Sequence, residues 1–281
     1  MFGIKVVSMS SVLLVNDMVG FGNLGMSAMV PILSALKYKL FRLPTSLVSN
    51  NFSYGQFAVL DTTDYMRQTI DIWERNAFPI DAVITGYLVS EEQTKLVADY
   101  CSILKRRGTR IFVDPIMADD GKLYNGATAQ TVDYMRSMCR VADVILPNMT
   151  EAQLLADRYL GQRSLTTADA TDLIHRLHAL GHNSVVISSM VIDGQTCTML
   201  YDMQSDSVKT LPYTLIPAQF SGTGDMFSAI LMDRYLKGNS LEHSAQSAMN
   251  FVSRMIEINQ DYPFPDNGIP IEQYLDEVMS E

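Results

Sequence analysis

The sequence predicts an α/β fold with a mainly parallel central sheet and helices on both faces. Three observations carry this. Short apolar, β-branched runs recur along the chain, helical patterns lie between them, and polar residues come directly after each run. The runs are SVLLV at 11–15, DAVIT at 81–85, RIFVD at 110–114, DVILP at 143–147 and SVVIS at 184–188. Being apolar on both faces, they read as strands in the interior of a covered sheet.

Taken in order, the N-terminal stretch MFGIKVVSMSSVLLVNDMVGFG is apolar enough to resemble a secretion signal. It has only Lys5 as a basic flank and no small-x-small cleavage site, so a buried strand is expected there. Helices are expected over 61–77, 90–108, 126–140, 168–180 and 224–237. The second of these has Ser90 as N-cap, acids in its first turn, bases in its last and Gly108 to close it. Strands alternating with helices make βαβ units. The segments 196–202 and 207–217 read as an antiparallel hairpin at the sheet's edge. No repeat or low-complexity linker divides the 281 residues, so a single domain over 1–281 is expected.

Composition narrows the function. With 21 basic and 31 acidic residues the net charge is −10, which argues against nucleic acid or an anionic membrane surface as partner. Cys101, Cys139 and Cys197 are odd in number and widely spaced; they form neither a disulfide framework nor a CxxC pair. No run approaches the ~20 apolar residues of a membrane span. A cytoplasmic protein is expected.

In parallel sheets, ligands sit at the carboxyl ends of the strands. The residues at the ends of the five runs are polar: Asn16-Asp17, Gly86-Tyr87, Asp114-Pro115, Pro147-Asn148 with Glu151, and Ser188-Ser189. The segment FSGTGDMFSAIL, Phe220 to Leu231, adds a glycine-rich turn opening a helix. A helix start offers unpaired N–H groups and partial positive charge, and Gly222 and Gly224 let a ligand's oxygens come close. With Thr223 they make an anion hole suited to phosphate. Asp225 would repel that phosphate, but makes sense facing an incoming hydroxyl that it orients or deprotonates. The plainer alternative is that Asp225 caps its own helix.

These motifs together resemble the ribokinase-like kinases, and within them the vitamin B6 kinases. SGTGD before a helix resembles the superfamily's anion hole and base. VDPIMADDGKLY (113–124) is similar to the B6 kinases' DPV-x-GD…GxxY, ILPNMTEAQLL (145–155) to TPN-x-x-E-A-x-LL, and ITGYLVSEEQ (84–93) to TGYLGS. NDMVGFGNLGMSA and LPTSLVSNN resemble the substrate half. The similarity runs from about residue 11 to 260 with its motifs in family order. It implies a ribokinase-like three-layer sandwich that transfers phosphate from ATP to the hydroxymethyl group of pyridoxal, pyridoxine or pyridoxamine. It implies Asp225 as catalytic base with Gly222, Thr223 and Gly224 as anion hole. Asp17, Ser49, Asn50 and Tyr87 fall at substrate positions, and Asp114, Tyr124, Asn148, Glu151 and Ser188 at ATP positions. Asp114, Asp119 and Glu151 fall near Mg2+, with a monovalent cation left open, and a homodimer is implied. Asp17 stands where many relatives have serine, and could accept from a ring N–H or hydroxyl. The family's Ser-Asn-His-Thr is Ser49-Asn50-Asn51-Phe52 here, and Ala118 replaces a glycine. Two alternatives stay open: kinase action on hydroxymethylpyrimidine or its phosphate, and a nucleotide-binding homologue without catalysis.

Other signals are set aside. GFGNLG (20–25) fits a dinucleotide fingerprint but lacks the acid about 20 residues on. His175, His178 and His182 share helical spacing without carboxylate or thiol partners and are expected to face water. The eighteen methionines read as core filling.

Overall fold

The computed structural model describes residues 10–280, so the N-terminal reading before Ser10 lies outside the described residues. The chain runs β1 (Ser11–Val19), α1 (Met26–Ala35), β2 (Lys39–Val48), β3 (Val59–Asp61), α2 (Thr63–Arg75), β4 (Ala82–Thr85), α3 (Glu91–Lys105) and β5 (Arg110–Val113). A small ribbon, β6 (Ala118–Asp119) and β7 (Lys122–Leu123), leads to α4 (Ala129–Cys139), β8 (Val144–Ile145), α5 (Met149–Ala156) and α6 (Thr167–Gly181). The chain continues through β9 (Ser184–Ile192), β10 (Gln195–Asp202), β11 (Ser207–Pro212), α7 (Thr223–Leu236), α8 (Leu241–Ile258) and α9 (Leu275–Ser280).

The main sheet has nine strands in the order β11-β10-β9-β8-β5-β4-β1-β2-β3. From β9 to β2 every pairing is parallel; β3 and the β10–β11 hairpin add antiparallel edges. Alternation along each strand sends side chains to opposite faces. Leu13, Val15, Val83, Ile111 and Val185 pack against α2 to α6, whereas Val12, Leu14, Ile84, Phe112 and Val186 pack against α1, α7, α8 and α9. Two apolar layers therefore sandwich the sheet, as expected. Burying one such side chain contributes roughly 1.5–3 kcal/mol.

Caps explain several boundaries. Ser90 accepts from the Gln93 amide at 3.2 Å, and α3 stops at Lys105, before Gly108. The run 207–217 pairs only to Pro212. α7 is buried on all sides from Met226 to Met232, because it lies between the sheet and α8. Among the described residues no helix is long and apolar enough to cross a membrane, and all three cysteines are buried and free. His175 and His182 face solvent. His178 is half-buried, its Nδ1 2.8 Å from the Asn183 carbonyl and its ring against Tyr201.

Candidate active site

The carboxyl ends of β1, β4, β5 and β8, with Ser188 and Ser189 from the middle of β9, open onto a cavity of ≈ 620 Å³, closed on its far side by the first turn of α7. Gly222 precedes that turn with φ +79°, where a Cβ would lie 2.2 Å from the Asn23 carbonyl oxygen. Only glycine allows the approach. Gly224 has no positive φ; it is helical, and nothing stands within 4 Å of where its Cβ would be. Its bareness leaves space at the helix mouth rather than shaping the turn. The first intrahelical bond runs from the Met226 amide to the Gly222 carbonyl at 3.1 Å, so the preceding amides stand at the open end of the helix.

Asp225 does not cap α7, which has no side-chain cap. Its carboxylate turns to β1 instead: Oδ1 accepts from Asn16 Nδ2 at 3.0 Å and Oδ2 from the Gly25 amide at 2.9 Å. Burial pushes this carboxyl up to about 6, against the pull of the Gly25 and Asn16 donors. Asp17 lies beside it. Burial, then the charge of Asp225, raises Asp17 to about 7, and its side chain meets no donor but its own amide. Gly25, at φ +52°, is the spacer: a Cβ there would strike Asp17 Oδ1 at 2.3 Å.

At the other end of the cavity Asp114, buried at the end of β5, accepts from Ser228 of α7 at 2.8 Å and is raised chiefly by burial. Glu151 is also raised, by burial and then by Asp114. Both its oxygens are engaged: Oε1 accepts from the amides of Met117 (3.0 Å) and Ala118 (3.4 Å), Oε2 from Asn148 (2.9 Å). With Asn148 Oδ1 on the Glu151 amide, this is a reciprocal cap that fixes the start of α5. Asn148 Nδ2 binds the Ala118 carbonyl at 2.7 Å, and Ala118 sits without positive φ because Asp120 and Gly121 make the turn. Asp119 and Tyr124, both raised by burial, line the same wall with Ser188.

Tyr87 and Asn50 line the cavity, but Ser49 does not; its hydroxyl is spent on Asn50 and the Ala58 amide. Asn51 donates to Ser221 Oγ (3.1 Å) and the Asp266 carbonyl (2.7 Å), and Phe52 packs on Phe57. Through Asn51, this departure from the family pattern ties the acceptor wall to the anion loop. Sequence reading placed Asn16 on the rim and Asn51 at the substrate motif without giving either a role, and missed Gly25, for which the glycines of GFGNLG were the available signal.

The cavity is lined by Asp17, Asp114, Asp119, Glu151, Asp225 and Asp266, and by no Lys, Arg or His among the described residues. No three His, Cys, Asp or Glu side chains among those residues form a chelating set. The carboxylates of such a lining repel a polyphosphate unless a cation offsets their charge. Its all-oxygen donors fit a hard divalent ion shared with phosphate oxygens.

An open helix start with a carboxylate beside it, at the carboxyl rim of a mostly parallel three-layer sandwich, is the arrangement of a ribokinase-like phosphotransferase acting on an alcohol. The sequence profile of the phosphomethylpyrimidine kinase family matches residues 22–269, and the chain belongs to that family. Pyridoxal kinase PdxY of Paraburkholderia xenovorans is 28% identical over 258 residues, 88% of this chain and 87% of its own. A Bacteroides thetaiotaomicron structure with pyridoxal, provisionally designated a phosphomethylpyrimidine kinase, superposes with TM-score 0.91 at 29% identity over 96% of each chain. Pyridoxal kinase of Lactobacillus plantarum gives TM-score 0.87 at 27% identity, over 97% of this chain and 98% of its own.

Proposed function

We propose that this chain, as one kinase domain, phosphorylates the hydroxymethyl group of a B6 vitamer from ATP. The observation that carries the reading is Asp225: a carboxylate at the first turn of α7 that leaves its own helix uncapped and lines the cavity beside an open helix start. The similarity to pyridoxal kinases and to a structure holding pyridoxal supports the acceptor.

Asp225 orients the acceptor hydroxyl and takes its proton as the oxygen bonds to the γ-phosphorus; the bond to the bridging oxygen breaks and ADP leaves. Amides at 222–224 receive the charge on the transferring group. Asp17, Asn50 and Tyr87 surround the ring. Tyr124, Asn148 and Ser188 flank the nucleotide. Asp114, Asp119 and Glu151 would hold Mg2+, Glu151 through the lone pairs its amide partners leave free. When bound, the ion neutralises phosphate charge. Two copies associate, a reading supported by apolar Leu47, Val59 and Leu60 exposed at the β2–β3 edge; the same composition that argued against membranes supports a cytoplasmic location.

The family's own description favours one rival acceptor, hydroxymethylpyrimidine or its phosphate. Purified protein with Mg-ATP, given each vitamer and each pyrimidine separately, tests the choice by mass spectrometry of the product. At least one vitamer should be phosphorylated with the highest kcat/KM. Turnover of pyrimidines alone would transfer the activity to the rival, and no turnover with any acceptor would leave only nucleotide binding.

A further inference from the structure

We propose that Asn16 is a positioning residue for the base: its side-chain amide is locked in one orientation and presents a fixed N–H to Asp225. The inference rests on the reading of Asp225 as base and goes beyond it to the residue that makes it one.

Asn16 is fully buried within β1, where the pairing with β2 shifts register between Asn16 and Met18. Its Oδ1 accepts two backbone N–H groups, from Tyr87 at 2.8 Å just past β4 and from Asp17 at 3.0 Å. Turning the amide over would set its NH2 against both donors, so the oxygen stays where it is. The nitrogen is thereby committed to Asp225 Oδ1 at 3.0 Å, with the Met29 sulfur 3.7 Å away as its other neighbour. Gly86 closes the back: a Cβ there would stand 2.4 Å from Asn16 Nδ2. Any larger residue at 86 would push the amide off the carboxylate.

An NH2 group can donate but cannot accept, so it favours the ionised form of the oxygen it faces. The Gly25 amide does the same for the other oxygen, and the two donors stop the carboxylate from rotating. This grip matters because the surroundings oppose ionisation. The titratable groups facing Asp225 are Asp17 from β1, Asp114 from β5 and Tyr124 beyond the ribbon; none is cationic. Asn16 thus joins two strands to the base and keeps it charged and aimed.

The test compares Asn16→Asp, close in volume but with a second carboxyl in place of the fixed N–H donor, and Asn16→Ala, which removes the donor outright, with the parent, Asp225→Asn and Asp17→Asn. Turnover, KM for ATP, ADP affinity by calorimetry and the pH profile of kcat/KM are measured on each. Asn16→Asp should lower kcat near neutral pH about 10- to 100-fold and move the acid limb up by about one pH unit, with ADP affinity within about twofold. A folded Asn16→Asp that keeps kcat within about twofold and the limb in place, while Asp225→Asn is dead, overturns the positioning role. So does a limb that moves in Asp17→Asn and stays put in Asn16→Asp. If Asp225→Asn itself stays active, the base reading fails instead. Should Asn16→Asp not fold, the same readouts on Gly86→Ala, which displaces the amide without altering it, decide.

Discussion

Asp225→Asn is the sharpest test of the site, because the geometry allows the asparagine no good orientation. Both carboxylate oxygens accept from donors, Asn16 Nδ2 at 3.0 Å and the Gly25 amide at 2.9 Å. Whichever way the new amide turns, its NH2 meets one of them donor to donor. That mismatch costs roughly 1–3 kcal/mol. Losing the charge works the other way, since Asp225 raises both Asp17 and Asp114. Net destabilisation therefore stays within about 3 kcal/mol, a Tm decrease of no more than about 10 °C for a chain this long. Activity should respond differently in scale. Loss of a general base in phosphoryl transfer costs about 10²- to 10⁴-fold in kcat, or ~3–5 kcal/mol of barrier. A coupled assay of ADP release over a range of acceptor and ATP concentrations reads kcat and both KM values; differential scanning fluorimetry reads Tm. A folded variant with kcat within tenfold of the parent refutes the assignment.

Three further outcomes rest on the same geometry. Gly222→Ala must move the chain, since its Cβ would lie 2.2 Å from a backbone oxygen at φ +79°; kcat should drop at least about tenfold with a raised KM for ATP, and parental kinetics would contradict the close approach. Because Asp225 must be ionised to act and is raised to about 6, kcat/KM should fall as pH drops through that value; a profile flat to pH 5 would contradict it. The same shift acts on stability with the opposite sign: a carboxyl raised on folding contributes stability below its unfolded value and loses it as pH rises through about 6, so unliganded protein should melt higher at pH 5 than at pH 8. Finally, EDTA should abolish turnover and weaken ADP binding, since no basic side chain among the described residues lines the cavity; ADP affinity measured calorimetrically and unchanged by EDTA would show that the amides suffice.

How much the sequence disclosed depended on whether a signal was local. The interior strands are legible because both faces of each are covered, which writes an unbroken apolar run. β2 is not, because Pro44 interrupts it and its exposed residues break the pattern, and α1 hides behind Pro31 and an apolar composition resembling a strand's. The α8 pattern at 241–258 is amphipathic and was readable, but went unread. In the site, Gly222 and Asp225 stand in one short motif, whereas the grip on Asp225 comes from Asn16, 209 residues away, and Gly25, 200 away. No spacing rule reports such a partnership. Glu151 reads as a ligand by resemblance and is also half of a reciprocal cap with Asn148, since a capping box and a metal site draw on the same residue types.

The acid-only lining also bears on how the cavity empties. Esterifying the alcohol turns an occupant with little negative charge into a phosphate dianion, facing Asp17 and Asp225 with only the helix-start amides to favour it. Once ADP departs, the described lining, with no Lys, Arg or His, leaves little side-chain attraction to retain the new ester. Repulsion that would hinder a bare phosphate from entering thus also favours clearing the chamber for the next turnover.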